Sequence, residues 1–150
     1  MSLGNNGEVS APLILVVDDD EDTREVCAMT LRLAGFRTEE AGNGAVACER
    51  AFVLEPDAIL LDHSMPVMDG REAARRLRAD TRTHNAALVM MTGFNAATVK
   101  GREVRADGHC DAYLSKPCGA DEVVASLRAS LLSRAGGAAA AATAPKQQTS

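Results

Sequence analysis

A chain of 150 residues, 46% hydrophobic and 25% charged, has the material for one domain with a core and too little for two of ordinary size. A formal net charge of −5 and a pI near 5.2 argue against a basic nucleic-acid surface, and aromatics at 3% leave an aliphatic core. No apolar run reaches membrane-spanning length and no signal-peptide pattern opens the chain, so it is expected in the cytoplasm, with Cys27, Cys48, Cys110 and Cys118 as reduced thiols.

Residues 1–12 are polar and aperiodic and read as a disordered leader. Leu13 to Val17 is a branched apolar run that fits a strand buried on both faces, and it ends in acid at Asp18, Asp19 and Asp20. Helical spacing follows from Asp22, with Val26, Cys27, Thr30, Leu31 and Ala34 as one buried stripe and Gly35 as its stop. Met29 and Leu33 lie off that stripe and read as scattered surface apolar residues. Phe36 to Ala41 is a weak second strand, and Ala45 to Leu54 a second helix that Pro56 ends.

Ala58 to Leu61 is a third strand delivering Asp62 to its end, where Pro66 and Gly70 turn the backbone away and Asp69 stands as a helix N-cap. The helix from Asp69 to Ala79 carries Arg71, Arg75, Arg76 and Arg78, expected to form a solvated face paired with Glu72 and Asp80. Ala86 to Met91 is a fourth strand ending at Thr92 and Gly93, and Asn95 to Ala106 a fourth helix. Ala112 to Leu114 is a short fifth strand ending at Ser115, Lys116 and Pro117. Gly119 to Arg134 is the last helix, with Val123, Val124, Leu127, Leu131 and Leu132 at helical spacing, and residues 135–150 read as an Ala-rich flexible tail.

Five alternations of strand and helix predict a doubly wound α/β domain with a five-stranded parallel sheet over residues 13–134. Ligands of such sheets bind outside the C-terminal strand ends. Asp18 and Asp19, Asp62, Thr92 and Lys116 all fall there. Carboxylates crowded this way repel unless a cation joins them, and Mg²⁺, held by one or two carboxylates plus waters and phosphate, fits best. The backbone carbonyl of Ser64 would complete the site. Asp62 is then free to attack phosphorus in line, with Lys116 and the Thr92 hydroxyl on the phosphoryl oxygens.

The motifs VVDD at Val16 to Asp19, LLDHSMPVMDG at Leu60 to Gly70, MTG at Met91 to Gly93 and YLSKP at Tyr113 to Pro117 stand in this order. With them the chain resembles a response-regulator receiver domain, the CheY-like, flavodoxin-like (βα)5 fold of two-component signalling. The resemblance implies Asp62 as phosphoacceptor, Asp18 and Asp19 as the Mg²⁺ pair, Thr92 and Tyr113 as the switch pair, Lys116 as the family lysine, and Pro117 after a cis peptide bond. Cys118, where the family commonly has Phe, and Gly93, where Ala or Ser is frequent, depart from its pattern.

The implied function is acceptance of a phosphoryl group from a sensor histidine kinase or histidine phosphotransfer protein. The added charge then switches a protein-interaction face, with a phosphorylation-dependent dimer as one outcome. With residues 135–150 read as a tail, no output domain is expected after Arg134, and the expectation is a single-domain regulator or the receiver of a hybrid kinase, without direct nucleic-acid or membrane binding. The competing reading is a Mg²⁺-dependent phosphohydrolase of the haloacid-dehalogenase kind. Asp18 and Asp20 suit its D-x-D signature, but Asp22 stands where Thr or Val belongs.

Overall fold

The computed structural model describes residues 10–143; the expected leader up to residue 9 and the tail from residue 144 fall outside them. Five strands, β1 (Leu13–Val17), β2 (Arg37–Ala41), β3 (Ala58–Asp62), β4 (Ala87–Thr92) and β5 (Ala112–Ser115), alternate with five helices. These are α1 (Glu21–Leu33), α2 (Gly44–Leu54), α3 (Gly70–Ala79), α4 (Val99–Ala106) and α5 (Ala120–Thr143). All strand pairs are parallel, in the order β2-β1-β3-β4-β5.

Side chains alternate across a strand, so each apolar run feeds two cores. Leu15, Val17, Ile59, Leu61, Leu88 and Met90 face α2 and α3, where Ala47, Ala51, Ala73, Ala74 and Leu77 meet them. Ile14, Val16, Leu60, Val89 and Met91 face the other way, onto Ala28 and Leu31 of α1 and Val123 and Leu127 of α5. Strands buried on both faces carry no polar side, which is why their runs are unbroken in the sequence. β2, at the edge, is mostly half-exposed and reads RTEEA.

Several expected details change. Val26 is 63% exposed; the contact face of α1 is built on Ala28 and Leu31, because the small alanine lets the helix approach the sheet. Val26, Met29 and Leu33, spaced by three and four residues, instead form one exposed row. Leu132 of α5 is also exposed. Helix α4 begins at Val99 rather than Asn95, since Asn95 to Thr98 is a capping turn in which Thr98 Oγ1 accepts from Gly101 N–H at 3.0 Å. A Cβ on Gly101 would come within 1.8 Å of the Asn95 carbonyl oxygen, so only glycine permits that turn. The stretch from residue 135, expected to be flexible, continues α5 to Thr143, consistent with alanine's high helix propensity.

The arginines of α3 are not one solvated face. Arg75 and Arg76 pair with Glu72, but Arg71 reaches Asp107 of the α4–β5 connection with two hydrogen bonds. Asp80 pairs with Arg82. Arg78 is drawn in: Nε donates to His109 O at 2.7 Å, Nη1 to His84 O and Ala86 O at 2.9 and 2.6 Å, and Nη2 to Asp111 Oδ2 at 3.0 Å.

Candidate functional site

Sheet order turns dispersed residues into neighbours. β1 lies beside β3 with Val17 opposite Leu61, so Asp18 and Asp62 leave the sheet side by side. β4 lies on the other side of β3, and Thr92 is opposite Ser115, which places Lys116 one residue beyond. The carboxylates of Asp18, Asp19 and Asp62 offer oxygens all within 4.8 Å of one another. Asp18, Asp62 and Thr92 are buried, while Asp19 is exposed. Lys116 Nζ donates to Asp62 Oδ1 at 2.6 Å and stands 4.0 Å from Asp18 Oδ2.

This cluster is electrostatically unfinished. Asp18 Oδ1 accepts from Asp20 N–H at 2.9 Å, but Oδ2 is buried with no hydrogen-bond partner. Burial pushes the Asp18 carboxyl above its ordinary value against the pull of the Asp20 N–H, and the Asp62 charge adds to the rise. Burial acts to lower the Lys116 ammonium, but the hydrogen bond and charge of Asp62 carry it above its usual range. One cation among three acids, with a buried oxygen left over, is a hard-oxygen donor set that suits a divalent ion. Asp20 lies outside this cluster: its side chain caps α1 by accepting from Thr23 N–H at 2.9 Å.

The turn after β3 is held by close backbone packing. Gly70 N–H donates to His63 O at 2.9 Å, and a Cβ at Gly70 would lie 2.5 Å from the Asp62 carbonyl oxygen. Glycine therefore lets α3 start against the backbone of Asp62, while Asp69 caps the helix at Glu72 N–H. Ser64 is exposed, with Oγ 3.3 Å from His63 Nδ1.

Two features escaped the sequence reading. His63 is buried, its pKa lowered by that burial, and its ring stands edge-on to Phe94 with centroids 5.7 Å apart. Phe94 N–H in turn donates to Thr92 Oγ1 at 3.1 Å. The residues following β3 and β4 are thus in contact, a pairing with no local signature because they are far apart in sequence. Arg24 of α1, whose Nη1 donates to the Asp18 carbonyl at 2.8 Å, is the second. Tyr113 lies apart from the acids: it packs into the core on the α2 and α3 side, below the Arg105 guanidinium at 5.8 Å, and burial pushes its hydroxyl up to about 12. The peptide bond before Pro117 is cis.

The response regulator receiver domain family matches residues 14–128. The chain belongs to that family. Its five-stranded sheet is the CheY-like arrangement that the receiver resemblance implied. Among curated relatives of the receiver, the DNA-binding dual master transcriptional regulator RpaA of Synechocystis is 33% identical over 120 residues, which are 80% of this chain and 49% of RpaA. The phosphate regulon transcriptional regulatory protein PhoB of Pseudomonas aeruginosa is 39% identical over 120 residues, 79% of this chain and 51% of PhoB. The receiver thus spans about half the length of these relatives. The solved receiver domain of the Pseudomonas aeruginosa sensor histidine kinase PA1611, with magnesium coordinated in its active-site cleft, is 30% identical. It matches with a TM-score of 0.73 over 81% of this chain and 98% of its own.

These relatives overturn the expectation that nucleic acid has no place among the partners, since RpaA is a DNA-binding regulator and PhoB a transcriptional one. Net charge misled because the acidity of a receiver says nothing of an output module. No helix among the described residues is long and apolar enough to cross a membrane.

Proposed function

We propose that residues 13–134 form the phosphoacceptor unit of a two-component relay, in which Asp62 receives a phosphoryl group from a phosphohistidine donor. The observation that carries this reading is the buried Asp18 Oδ2, without a hydrogen-bond partner and 4.0 Å from the ammonium of the Lys116–Asp62 pair. Asp18, Asp19, Asp62 and the Ser64 carbonyl would hold Mg²⁺, whose charge neutralises phosphoryl oxygens during transfer.

Lys116 occupies Asp62 Oδ1 and leaves Oδ2 as the nucleophile, so the carboxylate is oriented before a donor arrives. The P–N bond of the donor breaks as the P–O bond to Asp62 forms, and the imidazole leaves with a proton from solvent. Lys116 then pairs with a phosphoryl oxygen. The Thr92 hydroxyl accepts from Phe94 N–H, so its own proton is free to donate to another. Turning Thr92 toward the phosphoryl group vacates space that Tyr113 fills from its half-buried position, which changes the surface a partner reads. The same groups support self-phosphorylation from small donors such as acetyl phosphate and hydrolysis of the acyl phosphate. The exposed row Val26, Met29 and Leu33 starts in the second turn of α1 and suits a helical donor that buries apolar surface there. By analogy with RpaA and PhoB, the signal is delivered to a DNA-binding output.

Incubation with acetyl phosphate and Mg²⁺, read by intact mass, should add one acid-labile phosphoryl group that chelation and Asp62→Asn each abolish. Persistence of the adduct in Asp62→Asn, or repeated turnover of phosphate esters as in a haloacid-dehalogenase-like hydrolase, would refute the reading.

A further inference from the structure

Both backbone polar groups of Asp18 are tied to the end of β2. Its N–H donates to Ala41 O at 3.2 Å, and its carbonyl accepts from Arg24 Nη1 at 2.8 Å. The same guanidinium donates through Nε to Glu40 Oε1 at 3.0 Å. The Arg24 side chain is only 18% exposed, so the bridge is largely shielded from water. Arg24 is also anchored at its backbone, where its N–H donates to Asp20 O at 2.9 Å. A guanidinium is a planar fork, and one that holds a carbonyl and a carboxylate at once fixes the direction of both.

The Asp18 carbonyl shares a rigid peptide plane with the Asp19 N–H. Its direction therefore sets where Asp19 begins, and with it the spread of the two carboxylates that open the acid cluster. β2 sends no acid to that cluster; what it supplies is Glu40, the group that steadies Arg24. We propose that Arg24, clamped by Glu40, is a positioning residue for the Asp18–Asp19 pair and thereby raises the affinity of the cluster for a divalent cation. This inference rests on the Mg²⁺ reading above.

Positioning and charge predict opposite signs. Removing a positive side chain near a cation site tightens binding if charge alone matters, and loosens it if the clamp matters. Mg²⁺ titration of the full chain without any phosphodonor, followed by backbone amide shifts, gives the dissociation constant directly. Arg24→Met combined with Glu40→Gln deletes one charge of each sign and is expected to weaken Mg²⁺ about tenfold, as loss of an outer partner of a metal ligand does. Arg24→Lys keeps the charge and disturbs the fold least. A point charge cannot hold both acceptors, so it is expected to weaken binding about threefold. Unchanged or tighter binding in both proteins, with amide spectra intact beyond β1, α1 and β2, would overturn the proposal. Should the unaltered chain bind no Mg²⁺, or Asp19→Asn bind it equally well, the reading of the cluster fails instead.

Discussion

Asp18→Asn should make the metal-free protein more stable. Asp18 is 2% exposed, its Oδ2 has no hydrogen-bond partner, and the Asp62 charge lies beside it. A buried polar atom left unsatisfied costs about 1–3 kcal/mol, and more when it is charged. The amide keeps the acceptor that receives Asp20 N–H and turns the orphan oxygen into a donor beside the Asp62 carboxylate, losing only the long 4.0 Å ion pair with Lys116. A net gain of about 1–2 kcal/mol is expected, which for a domain of this size raises Tm by roughly 3–8 °C. Calorimetry in chelator measures it. Adding Mg²⁺ should narrow or reverse the gap, because binding at ten times Kd stabilises the unaltered protein by about 1.4 kcal/mol and the variant by less. An Asp18→Asn protein that melts at or below the unaltered one in chelator would show that the cluster carries no electrostatic strain.

Two further outcomes follow from groups remote from the acids. Arg78→Ala should cost about 2–4 kcal/mol in urea unfolding, since it orphans three carbonyls and unpairs one side of Asp111; Arg134, 2.9 Å from Asp111 Oδ1, keeps the loss from being larger. Cys110, whose thiol burial pushes up to about 12, should resist iodoacetamide in the native protein at pH 8 and label at once when unfolded. Rapid native labelling of Cys110 in peptide maps would contradict that burial.

How much the sequence discloses depends on whether a feature is local. β1, β3 and β4 are legible because strands buried on both faces must be continuous apolar runs, whichever neighbours they take. The acid cluster is legible for a different reason: parallel topology brings strand ends together, and the residue types there are few. The start of α4 was misplaced because Asn95 and Thr98 are both good caps, and only the crowding of Gly101 against the Asn95 carbonyl decides between them. On the α1 face Cys27, Leu31 and Ala34 pack as expected, but Val26 was misplaced and Ala28 missed, because periodicity weighs a valine above an alanine, whereas close packing on a sheet favours the smaller residue at the contact. Arg24 with Glu40, His63 with Phe94, and Arg78 with Asp111 were invisible, since each pair meets only through register between separate elements.

The two ends of the sheet divide stability from chemistry. Where β4 and β5 begin, Arg78 spends its donors on three carbonyls and Asp111, and Asp111 also takes Leu88 N–H and Arg134. Every strong charge there has a partner, so that end closes. Where the strands finish, three carboxylates crowd together, Lys116 reaches Asp62 at 2.6 Å and Asp18 only at 4.0 Å, and the buried Asp18 Oδ2 has no hydrogen-bond partner. An end built only to be stable would not leave it so; an end that admits a cation, as proposed above, would. The division has a consequence that two variants separate: Arg78→Ala should lower stability and leave Mg²⁺ affinity unchanged, while Asp18→Asn should raise the stability of the metal-free protein and weaken Mg²⁺. Were Arg78→Ala to weaken Mg²⁺ as well, the ends would be coupled through the sheet and the division would not hold.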